Sequence, residues 1–504
     1  MVLATLLSAA LAGIDGRIVR VEVDVSPGLP SFTVVGLPDT SVRESRDRVR
    51  TAIRNSGFEF PWQHITINLA PPDVRKEGAA YDLPIALGIL AATGALPCRS
   101  HSDIIVVGSL SLDGAVRPTG GVLPVAMAAV RAGVGAALVP AANAAEAAVV
   151  SGLAVWPVAS LVEAAGTLTE RNPAHRHQGA PTSAPETRGG WGDFADIRGQ
   201  LMARRALEVA ASGGHHVLLT GPPGSGKTMM ARSLAGILPP LSPAEALEVT
   251  SIHSVAGLLP GGSGLITERP FRAPHHTISD IALVGGGAHP RPGELSLAHA
   301  GVLFLDEMPE FERRALEVLR QPLEEGRVRI ARAAASVEFP ASVTLVGAMN
   351  PCPCGYFGHP QRACRCAPPQ RERYAARISG PLLDRIDIRV DVPWLPPDVL
   401  GDDGPQESSA AIRERVVLAR SRQAARFPET GAAVNARLSG KMLRRYARPD
   451  EAGRALLHSA VERLALSGRA HDRIMRVARS IADLAGRATV NTDDVAEALQ
   501  YRLG

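Results

Sequence analysis

Lysine is almost missing from this sequence: of 54 basic residues only Lys76, Lys227 and Lys441 carry an amine, and the rest are arginines. Chemistry that needs a side-chain amine therefore has three positions to draw on. Aromatic residues are scarce as well, 4% of the chain, so the core must be built mainly from Ala, Val, Leu and Ile. No apolar run approaches the roughly 20 residues that span a bilayer, which argues against a membrane protein. The opening MVLATLLSAALAGI is apolar but has no basic start, and it runs into RIVRVEVDVS, the alternation of a half-buried strand. A formal charge of +4 is too small to imply nucleic acid by itself. Few cysteines and no export signal point to a reducing cytoplasm and to free thiols.

At 504 residues the chain is too long for one domain. Residues 1–166 mix short strand patterns (ITINLA, IIVVGSLSL) with Ala-rich helical stretches. Residues 167–192 contain TERNPAHRHQGAPTSAPETRGG, a Pro/Gly/Thr/His-rich run without apolar period, which reads as a linker. Residues 193–393 alternate strand-like and helical patterns, as in a parallel sheet covered by helices. Residues 394–504 read as helical, through AIRERVVLARSRQAARF, AGRALLHSAVERLAL and RIMRVARSIADLAG.

The strongest local signal is HHVLLTGPPGSGKTMMARSLAGIL. A buried strand at 217–220 leads into Gly221, Pro222, Pro223, Gly224, Ser225, Gly226, Lys227, Thr228 and Met229, and then into an amphipathic helix. Such a loop turns backbone N–H groups and a helix N-terminus toward the phosphates of ATP. Lys227 would place its charge on the β- and γ-phosphates, and Thr228 its hydroxyl on Mg2+. GVLFLDE (301–307) supplies a second buried strand with carboxylates at its C-terminal end, where open α/β sheets bind ligands. Asp306 would hold Mg2+, and Glu307 would polarise the attacking water. A third strand, VTLVGAMN (343–350), ends in Asn350, placed to sense the γ-phosphate. In GPLLDRIDI, Arg385 is either an arginine finger reaching a neighbour's γ-phosphate or a salt-bridge partner of Asp384 or Asp387.

The order of these elements resembles the AAA+ ATPases, and closely the ComM/YifB family of magnesium-chelatase-like proteins. The resemblance spans most of the chain, through GLPSFTVVGLPDTSVRESRDRVRTAIRNSGFEFP, KEGAAYDLPIALGIL, GPPGSGKTMMARSLAGILPPL, RPFRAPHHTISDIALVGGG, GVLFLDEMPEF and NPCPCGYFGHPQRACRC with LLDRIDI. It implies an AAA+ α/β motor with an all-helical lid, a homo-hexameric ring with ATP at subunit interfaces, and a motor on single-stranded or branched DNA. Branch migration of recombination intermediates would be its role, with recombination proteins as partners. The resemblance also assigns Arg385 as the finger and Arg469 as the lid's sensor arginine, with Arg473 one turn later as the rival. A different class, a chelatase-type remodeller of protein complexes, is the alternative.

GRVRIARAAASVEFPASVTLV (326–346) reads as a hairpin of RVRIA and SVEFP around a small-residue tip. In the related helicase clade such a hairpin enters the central channel. Arg332 is then a phosphate contact and Arg329 a second, with Arg327 further back; the competing reading is solvated arginines on an exposed hairpin. His275 and His276, in FRAPHHTISD where the clade inserts a helix-forming segment, either face the channel or form a buried structural pair.

The N-terminal region resembles the Lon protease domain, an α+β fold, with Ala80 at the serine position and Leu123 at the lysine position. Without a nucleophile or a base a peptidase is not expected. The remaining feature is Cys352, Cys354, Cys364 and Cys366, four of the five cysteines packed into 349–366. They read either as a closed, structural zinc site, with His359 as a substitute ligand, or as free thiols in a small-residue loop.

Overall fold

The computed structural model describes residues 3–96, 101–169, 176–177, 190–287, 290–332, 335–400, 404, 406–426 and 434–503. The first sheet has seven strands in the order Ser31–Val35, His64–Ala70, Asp15–Ser26, Ala4–Ala12, His101–Val106, Ala136–Pro140, Ala154–Val158. The apolar opening forms Ala4–Ala12, antiparallel to the alternating strand Asp15–Ser26 and parallel to His101–Val106. A two-residue period divides its faces: Leu6, Ala10, Ile104 and Leu138 enter one core, and Leu7, Ala9, Ile105 and Val139 the other. One core is closed by the helix Asp82–Ala92, apolar on every side, and the other by Val122–Arg131. The helix Leu161–Thr169 runs three residues past the expected domain end at 166; residues 170–175 and 178–189 of the expected linker lie outside the described residues.

The second sheet is wholly parallel, in the order Phe271–Arg272, Val302–Leu305, Thr344–Met349, Val217–Thr220, Ile388–Asp391. Both of its faces are covered. Val217, Leu219, Phe304, Val346 and Ile388 point into a core shared with the C-terminal helices through Ile412, Val416, Ile474 and Tyr501. Leu218, Leu303, Leu305 and Leu345 point the other way, onto Phe311, Leu382 and the hairpin residues Val328, Ile330 and Phe339. The C-terminal helices Ser409–Arg426, Glu451–Arg463 and Gly468–Leu484 lie where the sequence reads as helical.

The hairpin pairs Arg327–Arg332 with Ala335–Pro340. Its middle is braced by the N-terminal region, because the turn at Gly13 lies against the Val337 side chain and the Glu338 backbone, so closely that an added Cβ would fall 2.7 Å from the Glu338 carbonyl oxygen. The first domain also grips the helix Pro243–Val255: Gly121 N–H donates to the Ser254 carbonyl at 3.1 Å, and the Ser254 hydroxyl donates to buried Glu146. Glu146 in turn accepts the N–H of Leu123 at 2.8 Å. The position of the expected missing base is therefore part of a seam between domains. Ala80 lies in the short helical turn Ala79–Tyr81.

Candidate functional site

The strand Val217–Thr220 ends at the glycine-rich loop 221–226, whose last residue, Gly226 at φ +90°, takes a left-handed conformation that L side chains rarely adopt and starts the helix Lys227–Ile237. The strand is central in its sheet, flanked by Thr344–Met349 and Ile388–Asp391. The C-terminal ends of three parallel strands thus deliver Thr220, Leu305 and Met349 to one edge, and the residues that follow them meet there.

Lys227 is buried, and its amine donates to the carbonyls of Gly221 at 2.7 Å and Pro222 at 2.9 Å and to Asn350 Oδ1 at 3.3 Å. Burial lowers its pKa, while the carboxylates of Asp306 and Glu307 oppose that shift. Thr228 Oγ1 donates to Asp306 Oδ2 at 2.9 Å, so two oxygen ligands of the kind Mg2+ takes stand side by side. Asp306 Oδ1 accepts the N–H of Glu307 at 2.9 Å. Glu307 has a left-handed backbone at φ +48°, a costly conformation for a non-glycine residue of the sort that collects at functional sites, and its side chain is 56% exposed. Lys227, Thr228, Asp306, Glu307 and Asn350 lie together. Lys227→Ala is expected to weaken binding of an ATP analogue by about 10²-fold, the loss of charge-assisted hydrogen bonds worth about 1.5–3 kcal/mol each; equilibrium titration reads it.

The two arginines expected to complete the site are elsewhere in the chain. Arg385 is 16% exposed and donates to Glu324 at 2.6 Å and to the carbonyls of Arg320 and Pro381 at 2.8 Å. Its ion-pair partner is thus Glu324, not Asp384 or Asp387, because those two carboxylates face Arg473 at 3.6 and 3.7 Å. Arg473 is buried and committed to that pair, whereas Arg469, at the exposed start of Gly468–Leu484, makes no ion pair among the described residues.

His275 and His276 do not form a buried pair. Their ring centroids are 4.1 Å apart, His275 is exposed, and half-buried His276 puts Nδ1 3.7 Å from Glu307 Oε2. The segment around them gives the edge strand Phe271–Arg272 and a loop before the short helix Asp280–Val284. On the hairpin, Arg327 and Arg329 share Glu338, at 2.5 and 3.0 Å. Arg332 ends its strand opposite Ala335; its side chain and residues 333–334 at the tip lie outside what is described.

Two features were not legible in the sequence. Tyr374 packs against the end of the third strand, where burial pushes its phenol up to about 12 against the pull of the Asn350 N–H. An apolar groove of about 550 Å³ opens along Ile388–Asp391, lined by Gly199, Leu201, Met202, Val390, Leu395 and Tyr501. It is assembled from three distant segments, so no local pattern announces it.

The four cysteines of 352–366 converge: their sulfurs all lie within 4.8 Å of one another. Individual separations are 3.3 Å for Cys352–Cys354, 3.6 Å for Cys352–Cys364 and 3.7 Å for Cys354–Cys364. Tetrahedral ligation at a Zn–S distance of about 2.3 Å requires sulfurs about 3.8 Å apart, so the donor set fits zinc. Backbone N–H groups of Tyr356 and Arg365 pull the Cys354 thiol down to about 6, and burial pushes Cys352 up to about 11. His359 is not a member of this group; its Nδ1 accepts from the N–H of Gln361 at 3.1 Å and of Arg362 at 3.2 Å.

Comparison with known proteins agrees with this architecture. Family descriptions of "Magnesium chelatase, subunit ChlI" match residues 193–400, "Subunit ChlI of Mg-chelatase" residues 21–143, and "Magnesium chelatase, subunit ChlI C-terminal" residues 406–502. An uncharacterized protein of Mycobacterium tuberculosis is 47% identical over 504 residues, covering 100% of this chain and 99% of the relative. YifB of Escherichia coli, itself described as uncharacterized, is 42% identical over 503 residues, covering 100% and 97%. Competence protein ComM of Haemophilus influenzae is 42% identical over 505 residues, covering 100% and 98%. Among the described residues no helix is long and apolar enough to cross a membrane. Full-length similarity on this scale, together with a parallel five-stranded sheet and helical C-terminal region, means that the chain belongs to the ComM/YifB family of magnesium-chelatase-like AAA+ proteins, a family that implies ATP with Mg2+.

Proposed function

We propose that the protein is an ATP-hydrolysing ring motor, a homo-hexamer that moves on single-stranded or branched DNA and drives branch migration during recombination. The observation that carries the ATPase reading is the convergence of Lys227, Thr228, Asp306 and Asn350 within hydrogen-bond distance at one sheet edge. Lys227 would neutralise the β- and γ-phosphates, and Asn350 would sense the γ-phosphate through the contact it now makes to Lys227. Thr228 and Asp306 would hold Mg2+, which when bound supplies charge to the phosphate oxygens. Glu307 would take the proton of the attacking water. The groove between Leu201 and Tyr501 suits the flat adenine base. Arg385 would act on the neighbouring copy's nucleotide, with Arg469 serving the lid. The four cysteines would hold a structural zinc ion.

The DNA part rests on the hairpin and on the name of the Haemophilus relative, a competence protein. Steady-state ATPase rates with and without forked or single-stranded DNA, at rising salt, test it. Strong stimulation that falls with salt is expected; indifference to every DNA form would move the assignment to a remodeller of protein complexes. Arg332→Ala should cut the stimulation several-fold and lower the salt slope of DNA binding by about 1, the share of a single neutralised phosphate. Arg329→Ala should do less, because that guanidinium already pairs with Glu338.

A further inference from the structure

The cysteine loop and the phosphate loop touch. Asn350, whose Oδ1 accepts from the Lys227 amine at 3.3 Å, is followed within two residues by Cys352, the fully buried member of the thiol cluster. Behind it the chain turns back through a bond from Gly355 N–H to the Cys352 carbonyl at 2.9 Å. That turn presents Gly355 edge-on to Pro223: a Cβ added to Gly355 would lie 2.7 Å from Pro223 Cδ and 2.8 Å from Cγ. Gly355 has φ +84°, so conformation and contact both demand glycine here. A third junction is the bond from Gly221 N–H to the Met349 carbonyl at 3.1 Å. The two loops therefore meet at a proline and at the lysine of the phosphate loop, while its first glycine is tied to the strand from which the cysteine loop departs.

The far side of the cysteine loop is held by surface polar and ring contacts, among them Arg362 Nη1 donating to the Tyr356 hydroxyl at 2.8 Å. Phe357 is 49% exposed, under the Arg371 guanidinium 4.0 Å from its ring centroid, and His359 leans on Trp394 at 5.3 Å. Cys354, Cys364 and Cys366 are part-exposed, so the four-sulfur cluster, and not an apolar core, is what draws 352–354 onto 364–366. Without a bridging ion, four thiols at such separations gain only weak S–H contacts, too little to order a loop of this length.

We propose that a zinc ion bound by Cys352, Cys354, Cys364 and Cys366 braces the phosphate loop through Gly355 and Asn350, so that metal occupancy and nucleotide affinity are linked. The proposal rests on the reading of 221–228 as the ATP site and of the cysteines as a zinc site. The ion takes no part in phosphate chemistry. It fixes the loop against which Pro223 packs and from which Asn350 reaches Lys227, so the nucleotide meets donors already in place. Linkage is reciprocal: whatever factor zinc adds to nucleotide binding, nucleotide adds to zinc retention.

The test uses the full reduced chain. Zinc content is measured with a chromogenic chelator, Co2+ replaces zinc to reveal tetrahedral thiolate absorption, and a fluorescent ATP analogue is titrated onto loaded, stripped and zinc-resupplied protein. About one zinc per chain is expected, with affinity falling about tenfold on stripping, inside the usual 5–150-fold range of such couplings, and returning with Zn2+ but not with Mg2+. Two measurements need no stripped protein: saturating Mg·ATP should slow zinc release to the chelator about tenfold, and Gly355→Ala should keep its zinc yet bind the analogue about tenfold more weakly. Unchanged zinc release with and without ATP, or wild-type affinity in zinc-loaded Gly355→Ala, overturns the coupling. Protein that takes up neither Zn2+ nor Co2+ overturns the metal site instead, and loaded protein that binds no analogue overturns the ATP reading.

Discussion

Replacing Arg385 by alanine is expected to lower ATP hydrolysis by about 10³–10⁵, the range an arginine finger supplies, with little loss of ATP binding by a single chain. The expectation follows from what one chain lacks. Lys227, Thr228, Asp306, Glu307 and Asn350 gather at one sheet edge, yet Arg385 is tied to Glu324 and to two backbone carbonyls of its own chain. In the proposed ring this guanidinium would serve another copy's phosphates, after exchanging the exposed Glu324 carboxylate for them. Because Arg385 also pins the 320–325 helix to 380–385, a drop in rate alone would not separate catalysis from folding. Mixing does. Arg385→Ala chains combined with Lys227→Ala chains should regain activity, since roughly a quarter of randomly formed head-to-tail interfaces would be intact on both sides. No recovery on mixing, or full activity of Arg385→Ala alone, sinks the shared site.

Glu307→Gln should reduce turnover by about 10²–10⁴, the usual worth of a positioned general base, while ATP remains bound and unhydrolysed. Glutamine keeps the size and the hydrogen-bonding reach of the side chain but cannot accept the proton. The Lys227 and Thr228–Asp306 contacts do not involve this carboxylate, so ground-state binding is spared. Single-turnover quench experiments distinguish the outcomes: slow cleavage of bound ATP is expected, whereas fast cleavage followed by slow product release would remove Glu307 from the base role. His276 stands 3.7 Å from the same carboxylate, so His276→Ala should lower turnover more than ATP affinity.

Much of the fold was legible because the strands of the parallel sheet are buried on both faces, which writes them as short continuous apolar runs. VLLT, VLFL and TLVGAM form the strands Val217–Thr220, Val302–Leu305 and Thr344–Met349. The hairpin was legible through its alternation, and the lid helices through their longer period. Distant pairings were less legible. Two aspartates flank Arg385 in sequence, but the carboxylate it pairs with is 61 residues away. Adjacent histidines are compatible with a buried pair, but the loop that carries His275 and His276 lies over Glu307.

The sequence by itself determined the chemistry on offer: a glycine loop with one of three lysines, carboxylates after a buried strand, and four cysteines in one stretch. These are local patterns, dictated by backbone conformation and by burial within a few residues, so they survive without a fold. Only the tertiary structure decided which of them meet. Parallel strands place residues more than a hundred positions apart, such as Lys227 and Asn350, within 3.3 Å, and the same packing sets Gly355 on Pro223. It also gives Arg385 to Glu324 and the Leu123 region to the seam between domains, because contacts across sheets and between domains depend on packing that no local period records.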